Sequence, residues 1–334
     1  MPTGKGFDSV VGVRKEAAWG TPLAVNKAIP FVSEDFDVEI DRTADEVLRG
    51  KAGANPDSDG NVRVPFNLPC KLTYQDVDLL IAVAMGAAGT PAANGGKYDN
   101  TYSLAEDCLY SFTAAVYKAV SVWEAAGCKI DKMSIKGSAN KPIDITFSGA
   151  AKALDLASAL NTLAVVGALA TEDAAPKLMF SDLAFKIAPQ ATALSGVAET
   201  GINSFEFSLA NNLKLDDHDS TSTSILEPVR NGLRAVGFQF TLPRYAADTF
   251  RGYMTAKTAL HAELVWTLSG YVFRINIPRL TVNKAAAPTK GAGLHTVEVD
   301  CTCWTDPGSV SASFTTENEF EIKVTNGLAA SPLV

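Results

Sequence analysis

The sequence predicts a mainly β protein: two tandem β-sandwich or barrel domains, each with a flanking α-helix, divided as residues 1–160 and 161–334. Two observations predict it. The first is an internal repeat of order and spacing. Phe36, Val38 and Ile40 alternate with Asp37, Glu39 and Asp41, and in mid-chain Phe205, Phe207 and Leu209 alternate with Glu206, Ser208 and Ala210. Each run leads through a long polar stretch to a glycine, Gly60 or Gly232. A second alternating run follows, Val62, Val64 and Phe66 or Val236, Phe238 and Phe240. Then come a proline (Pro69, Pro243), a tyrosine (Tyr74, Tyr245) and a short amphipathic helix. The offsets are 169 residues for Phe36 to Phe205, 172 for Gly60 to Gly232 and 171 for Tyr74 to Tyr245. The second observation is the period of two itself. Apolar–polar alternation marks a half-buried strand, and many short alternating runs separated by turn signals mark a sandwich or barrel. A scale of roughly 150 residues per domain also gives two domains for 334 residues.

The elements follow in order. A helix is expected from Thr73, because Asp76 three residues on gives a capping-box spacing. Val77, Leu80, Ile81, Ala84 and Met85 form one apolar stripe that must dock on a sheet, and Gly86 and Gly89 would end it. Thr90 to Asn100, with Pro91, Gly95 and Gly96, reads as a loop or insertion without a counterpart in the second half. Strands resume at Tyr110, Phe112 and Ala114, at Val120 and Val122, at Ile130, Met133 and Ile135 after Gly127, and at Ile143, Ile145 and Phe147. The alanine-rich stretch Ala150 to Lys177 joins the halves, and its uncharged part, Leu156 to Thr171, reads as helix or linker. In the second half Ala247, Phe250, Tyr253 and Met254 give the matching helix stripe. Leu264 to Thr267, Val272 to Ile277, Leu280 to Val282 and His295 to Trp304 give strands in the same order.

Composition excludes several function classes. A net charge of −8 argues against a basic nucleic-acid surface. Met1 to Val13 has no apolar core of a signal peptide, so none is expected. The apolar run Leu79 to Met85 is far short of the ~20 residues a membrane span needs. Five scattered cysteines do not look like a disulfide framework and suit a reducing compartment. Cys301 and Cys303 share one strand face and read as core. The three histidines share no metal-ligand spacing, and neither a phosphate-binding loop nor a nucleophile elbow is present. Asp216, Asp217, His218 and Asp219 lack the glycine and glutamate of a calcium loop and read as a solvated turn. No cofactor, no metal and no enzymatic activity are expected.

Two features remain. The loops Arg42 to Gly60 and Asn212 to Gly232 are each about twenty residues, a length that often marks a binding element. Each sets apolar residues before an arginine: Val47 and Leu48 before Arg49, and Ile225, Leu226 and Val229 before Arg230. Their recurrence points to a shared contact role. The other feature is acidic strand faces, Asp35, Asp37, Glu39 and Asp41 near the start and Glu317, Glu319 and Glu321 near the end, opposite Phe320, Ile322 and Val324.

The residues Gly12-Val13-Arg14-Lys15-Glu16, then Trp19-Gly20-Thr21-Pro22, resemble the N-terminus of major tail tube proteins of long non-contractile-tailed phages, duplicated-domain type. So do the acidic strand, Leu48-Arg49-Gly50, the long loop, the helix Asp76 to Gly86 and the run Gly127 to Gly137. The resemblance implies a structural virion protein whose six domains, from three copies, close a ring around a lumen, with rings stacking into the tube that conducts DNA into the host. It implies homo-oligomers, tail tip and tail terminator proteins, and a tape measure protein in the lumen as partners. Double-stranded DNA would pass without specific binding, and no membrane is involved. Localisation would be the virion, with assembly in the host cytoplasm. On this reading Leu48, Arg49, Leu226 and Arg230 are candidate inter-subunit anchors. Asp37, Glu39 and Asp41, then Glu317, Glu319 and Glu321, are candidate lumen residues, since carboxylates repel the phosphate backbone that basic residues would bind. The alternative is a β-sandwich virion decoration or receptor-binding module. A tube protein polymerises, whereas such a module stays a small oligomer.

Overall fold

The computed structural model describes residues 6–47, 57–169, 176–289 and 293–334. The first half contains β1 (Val10–Lys15), β2 (Lys27–Ile29), β3 (Asp35–Phe36), β4 (Glu39–Thr43), β5 (Ser58–Lys71), α1 (Asp78–Met85), β6 (Gly86–Ala88), β7 (Ala92–Asn94), β8 (Lys97–Leu104), β9 (Phe112–Tyr117), β10 (Val122–Ser138), β11 (Asp144–Ala151), β12 (Ala153–Asp155) and α2 (Leu163–Gly167). The second half contains β13 (Leu183–Pro189), β14 (Ser204–Ala210), β15 (Ala235–Leu242), α3 (Thr249–Ala256), β16 (Leu260–Leu268), β17 (Tyr271–Ala286), β18 (Val297–Cys303) and β19 (Glu321–Asn326). The protein is mainly β, and among the described residues every strand ladder is antiparallel.

The long strand β10 joins two layers. Its first part pairs with β9, which continues through β1 to β2, and with β12. Gly127, at φ +71°, takes the left-handed backbone that a side chain disfavours, and beyond it β10 pairs with β11, then β5 and β3. The layers face each other across aromatic contacts such as Phe66 on β5 against Phe112 on β9, edge to face at 5.9 Å.

The second half repeats these pairings. β5–β11–β10–β9–β1 has its counterpart in β15–β18–β17–β16–β13. Each ladder between the long strand and its partner carries one bulge, at Ile130/Lys132 against β11 and at Val282/Lys284 against β18. Matching the bulges equates Lys132 with Lys284 and Gly149 with Cys301. Carried across the sheet, this equates Phe66 with Phe238 and Phe36 with Phe207, two residues beyond the Phe205 that alternation alone suggested. Both equivalences then fall within a residue of the offset shown by Gly60/Gly232 and Tyr74/Tyr245. In the second half, Phe185 on β13 makes interlayer contacts with Phe238 at 5.6 Å and Phe240 at 5.2 Å.

The halves are not separate bodies. One hydrophobic core runs from Val11 to Leu333, and β10 pairs directly with β14, so a single sheet continues β3–β5–β11–β10–β14–β15–β18–β17. Cys301 and Cys303 are buried in it, as their shared face required.

Several elements depart from the sequence reading. Asp76 N donates to Thr73 Oγ1, the forward half of the capping box, and that hydroxyl donates to Asp76 Oδ2, but the helix starts only at Asp78. Gly86, at φ +84°, ends it. All eight residues of α1 are buried, so it has no solvent face: β10 and β8 pack on it, and Asn326 of the second half bonds Asp78. The segment Thr90 to Asn100 is a hairpin, β7 against β8, turned by Gly95 and Gly96 at positive φ. Its strand β8 pairs with β19.

Candidate assembly surface

The candidate features for assembly are a seam, a polar sheet face and the edges that the sheet leaves open among the described residues. At the seam, Lys136 of β10 lies opposite Glu206 of β14, with Nζ 2.9 Å from Oε1. Their neighbours Ile135 and Met133 meet Phe207 and Leu209 on the buried face. Period two thus divides the seam into an apolar side and a charged side.

The second long loop is clamped over this seam. Lys129, its side chain only 3% exposed, donates to the carbonyls of Cys108 and Pro228 and pairs with Glu227 at 2.7 Å. Asp131 accepts from Leu213 N at 2.7 Å. Asn211 donates to the carbonyls of Ala84 and Ile130. The loop also reaches β5, where Val62 N donates to Thr223 O at 2.8 Å. Arg230 lies within this clamp, 3.3 Å from Asn211 Oδ1, and Leu226 is half-buried, its N bonded to Asp217 O. Arg230 therefore touches the rest of its own chain, whereas the bond of Leu226 stays within the loop. Leu48 and Arg49 lie outside the described residues.

The polar face of the continuous sheet carries both signs of charge. Lys71 pairs with Asp144 and Lys136 with Glu206. Lys284 stands opposite Asp300. A cavity of about 470 Å³ opens on this face, lined among others by Lys136, Asp144, Glu206, Lys284, Glu298 and Asp300. Asp37 is exposed beside β3, Glu39 pairs with Arg63, and Asp41 is exposed on the β4–β5 hairpin. The strand breaks between Phe36 and Glu39, and Val38 and Ile40 are 37% and 40% exposed, so the expected buried face ends at Phe36.

The second acidic run corrects a sequence expectation. Glu317 precedes β19 on an exposed loop. Glu319 is buried against Arg234, Oε2 to Nη2 3.1 Å, and Glu321 is buried with Oε1 accepting from Asn276 at 2.8 Å. The three do not form one exposed face. Both sides of this segment are covered, and each buried carboxylate has a cationic or amide partner, as burial requires.

Sequence reasoning also missed what Glu16 does. It is 3% exposed and accepts from Gly20 N (2.9 Å), Ser111 Oγ (2.7 Å), Thr113 Oγ1 (2.9 Å) and Gly127 N (2.7 Å). Trp19 Nε1 donates to Gly127 O at 3.0 Å. The Glu16-to-Gly20 segment is thus a staple that fixes β10 where it changes layers. Gln190 fills the corresponding place after β13, donating to Pro278 O and Asp306 Oδ1. His261 is buried next to it, between Ser311 Oγ at 2.7 Å and Thr192 O at 2.8 Å, and burial lowers its pKa. Asp78 is another buried carboxyl, pushed up to about 7 mainly by burial, with Lys27, Tyr102 and Asn326 acting the other way. Among the described residues no cluster of His, Cys, Asp and Glu could hold a metal ion, and no helix is long and apolar enough to cross a membrane.

The family model described as phage tail tube protein matches residues 6–303, nearly the whole chain. The chain belongs to the phage tail tube protein family. Comparison with curated proteins gave no match. Family membership makes this tail tube protein a structural component of the virion. It also gives the staple, the seam and the mixed-charge face a setting. They belong to a scaffold, and the buried histidine and carboxyls serve its core.

Proposed function

We propose that the protein polymerises into stacked rings that form the tail tube and conduct DNA at ejection. Each ring would contain three copies, with the two similar halves, residues 1–160 and 161–334, as domains at six pseudo-equivalent positions. The observation that carries this reading is the recurrence of the first half's strand pairings in the second, with the two halves already joined edge to edge in one sheet. Two similar units so joined can repeat around an axis, and ring closure removes the open edges that otherwise invite disordered aggregation.

The polar face of that sheet is the proposed lumen wall, with Asp37 on it. Lys136 at the seam and Lys71 on β5 are matched by carboxylates, which lowers the number of free cations that would hold phosphate, although Lys132 stands opposite Ala210. Unmatched acids repel the duplex over a screening length of ~8 Å at physiological salt. The first long loop, with Leu48 and Arg49, is proposed to reach a neighbouring copy, as the second loop reaches the first half of its own chain. Tail tip, tail terminator and tape measure proteins are the proposed partners, with assembly in the host cytoplasm.

Negative-stain microscopy of the purified protein tests the reading. Tubes or stacked rings are expected. A small oligomer that never elongates, even when seeded with tail tips, would point to a decoration or receptor-binding module instead.

A further inference from the structure

The seam within the chain has an unfilled counterpart at the two ends of the sheet. Within the chain, Lys132, Met133 and Ser134 of β10 pair with Ala210, Leu209 and Ser208 of β14. At one end, β17 beyond Leu280 has β18 along one side and, among the described residues, no strand along the other. At the opposite end, β3 and β4 pair with β5 alone among the described residues. The bulge register equates Lys132, Met133 and Ser134 with Lys284, Ala285 and Ala286. It equates Ala210, Leu209 and Ser208 with Glu39, Val38 and Asp37.

We propose that a second copy of this chain closes the sheet in this register, with Lys284 opposite Glu39, Ala285 opposite Val38 and Ala286 opposite Asp37 of the next copy. The inference rests on the ring reading and specifies its joint. Three independent features fit it. Val38 is 37% exposed where its counterpart Leu209 is 1% exposed, an apolar side chain in place but uncovered. Behind the open edge of β17 is a cavity of about 280 Å³ between the strand and α3, lined by Ala285, Ala287, Tyr245 and Phe250. Alanines stand there where the first half has Met133 and Ile135, so a side chain from outside has room to enter. The helices agree: all of α1 is buried, whereas no residue of α3 is.

Charge fits the same register. Glu39 would stand directly across from Lys284, with Asp37 diagonal to it, both within reach in an antiparallel pair. The acids near the start of the chain thus acquire a second role, marking which edge the lysine edge accepts. Two β17 edges would bring Lys284 near Lys284, and two β3–β4 edges would crowd Asp37 and Glu39, so like edges repel.

The test uses the full chain. In a Val38→Cys/Ala285→Cys variant, oxidation after assembly should give covalent dimers and trimers on a non-reducing gel, since directly opposed Cβ atoms lie within disulfide reach. The off-register control, Asp37→Cys/Ala285→Cys, should give at least ten-fold less, because Asp37 points to the other face. In the wild type, hydrogen exchange should slow at least ten-fold on assembly in peptides 35–41 and 281–287. Tubes that form with neither the cross-link nor the protection would overturn this joint and leave the tube reading intact. Failure of the wild type to assemble would overturn both.

Discussion

Replacing Glu16 should be among the most damaging single changes outside the aromatic core. Its carboxylate accepts from two backbone N–H groups, Gly20 and Gly127, and from two hydroxyls, Ser111 and Thr113, in a site it fills almost without exposure. In Glu16→Ala both N–H groups lose their acceptor and no side chain replaces it. A buried donor left unpaired costs about 1–3 kcal/mol, so for two donors a loss of about 2–6 kcal/mol is expected. The hydroxyls add less, because they can rotate to other acceptors. Glu16→Gln separates charge from geometry. Each carboxylate oxygen serves one N–H and one hydroxyl, so the amide group, wherever it points, faces one N–H that cannot turn away. That variant should lose about 1–3 kcal/mol, clearly less than alanine. Urea unfolding of the unassembled protein, read by tryptophan fluorescence, measures both. If Glu16→Gln unfolds at the wild-type midpoint, or if alanine costs no more than glutamine, the staple does not hold β10 as described.

Asp78 predicts an unusual pH dependence. Its carboxyl ionises near 7 in the folded chain and near 3.8 as a free side chain, so the folded state favours the protonated form. Its contribution to stability is fully present below about pH 4 and is lost as pH rises through 7. Each factor of ten in acidity is worth about 1.4 kcal/mol, so the span is of order 4 kcal/mol. Asp78→Asn should flatten this slope and raise Tm at pH 8 by several degrees in differential scanning calorimetry; an unchanged slope would contradict it. Arg234→Ala should cost about 3–5 kcal/mol in urea, because Glu319 would be left buried without its cation, whereas Arg234→Ala/Glu319→Gln should recover part of the loss. Equal losses in the single and double variants would count against that pair.

The fold was legible where the chain's own periodicity carries it. Alternation marked most strands, and the repeated glycine and tyrosine spacing marked the duplication. The register between halves was less legible. A bulge is set by how many residues face a partner strand, which leaves no local trace at Asp131 or Asn283. The hairpin of β7 and β8 read as loop because its polar strands gain their order from distant β19. Glu319 and Glu321 show why period two is incomplete evidence for exposure: alternation gives two faces but does not say that either meets water. The expectation of a contact role for the long loops rests on their recurrence. The contact the second loop makes depends on Lys129, Asp131 and Asn211, whose inward orientation follows from the packing of β10 on β14.

The most direct measurement of the central claim is a cryo-microscopy cross-section of assembled tubes at a resolution that follows the chain. Three copies per ring are expected, their halves alternating at six positions, with a β10–β14 seam inside each copy and a β17 to β3–β4 seam between copies. A ring of six full chains, or one whose neighbours meet through other surfaces, would contradict the account.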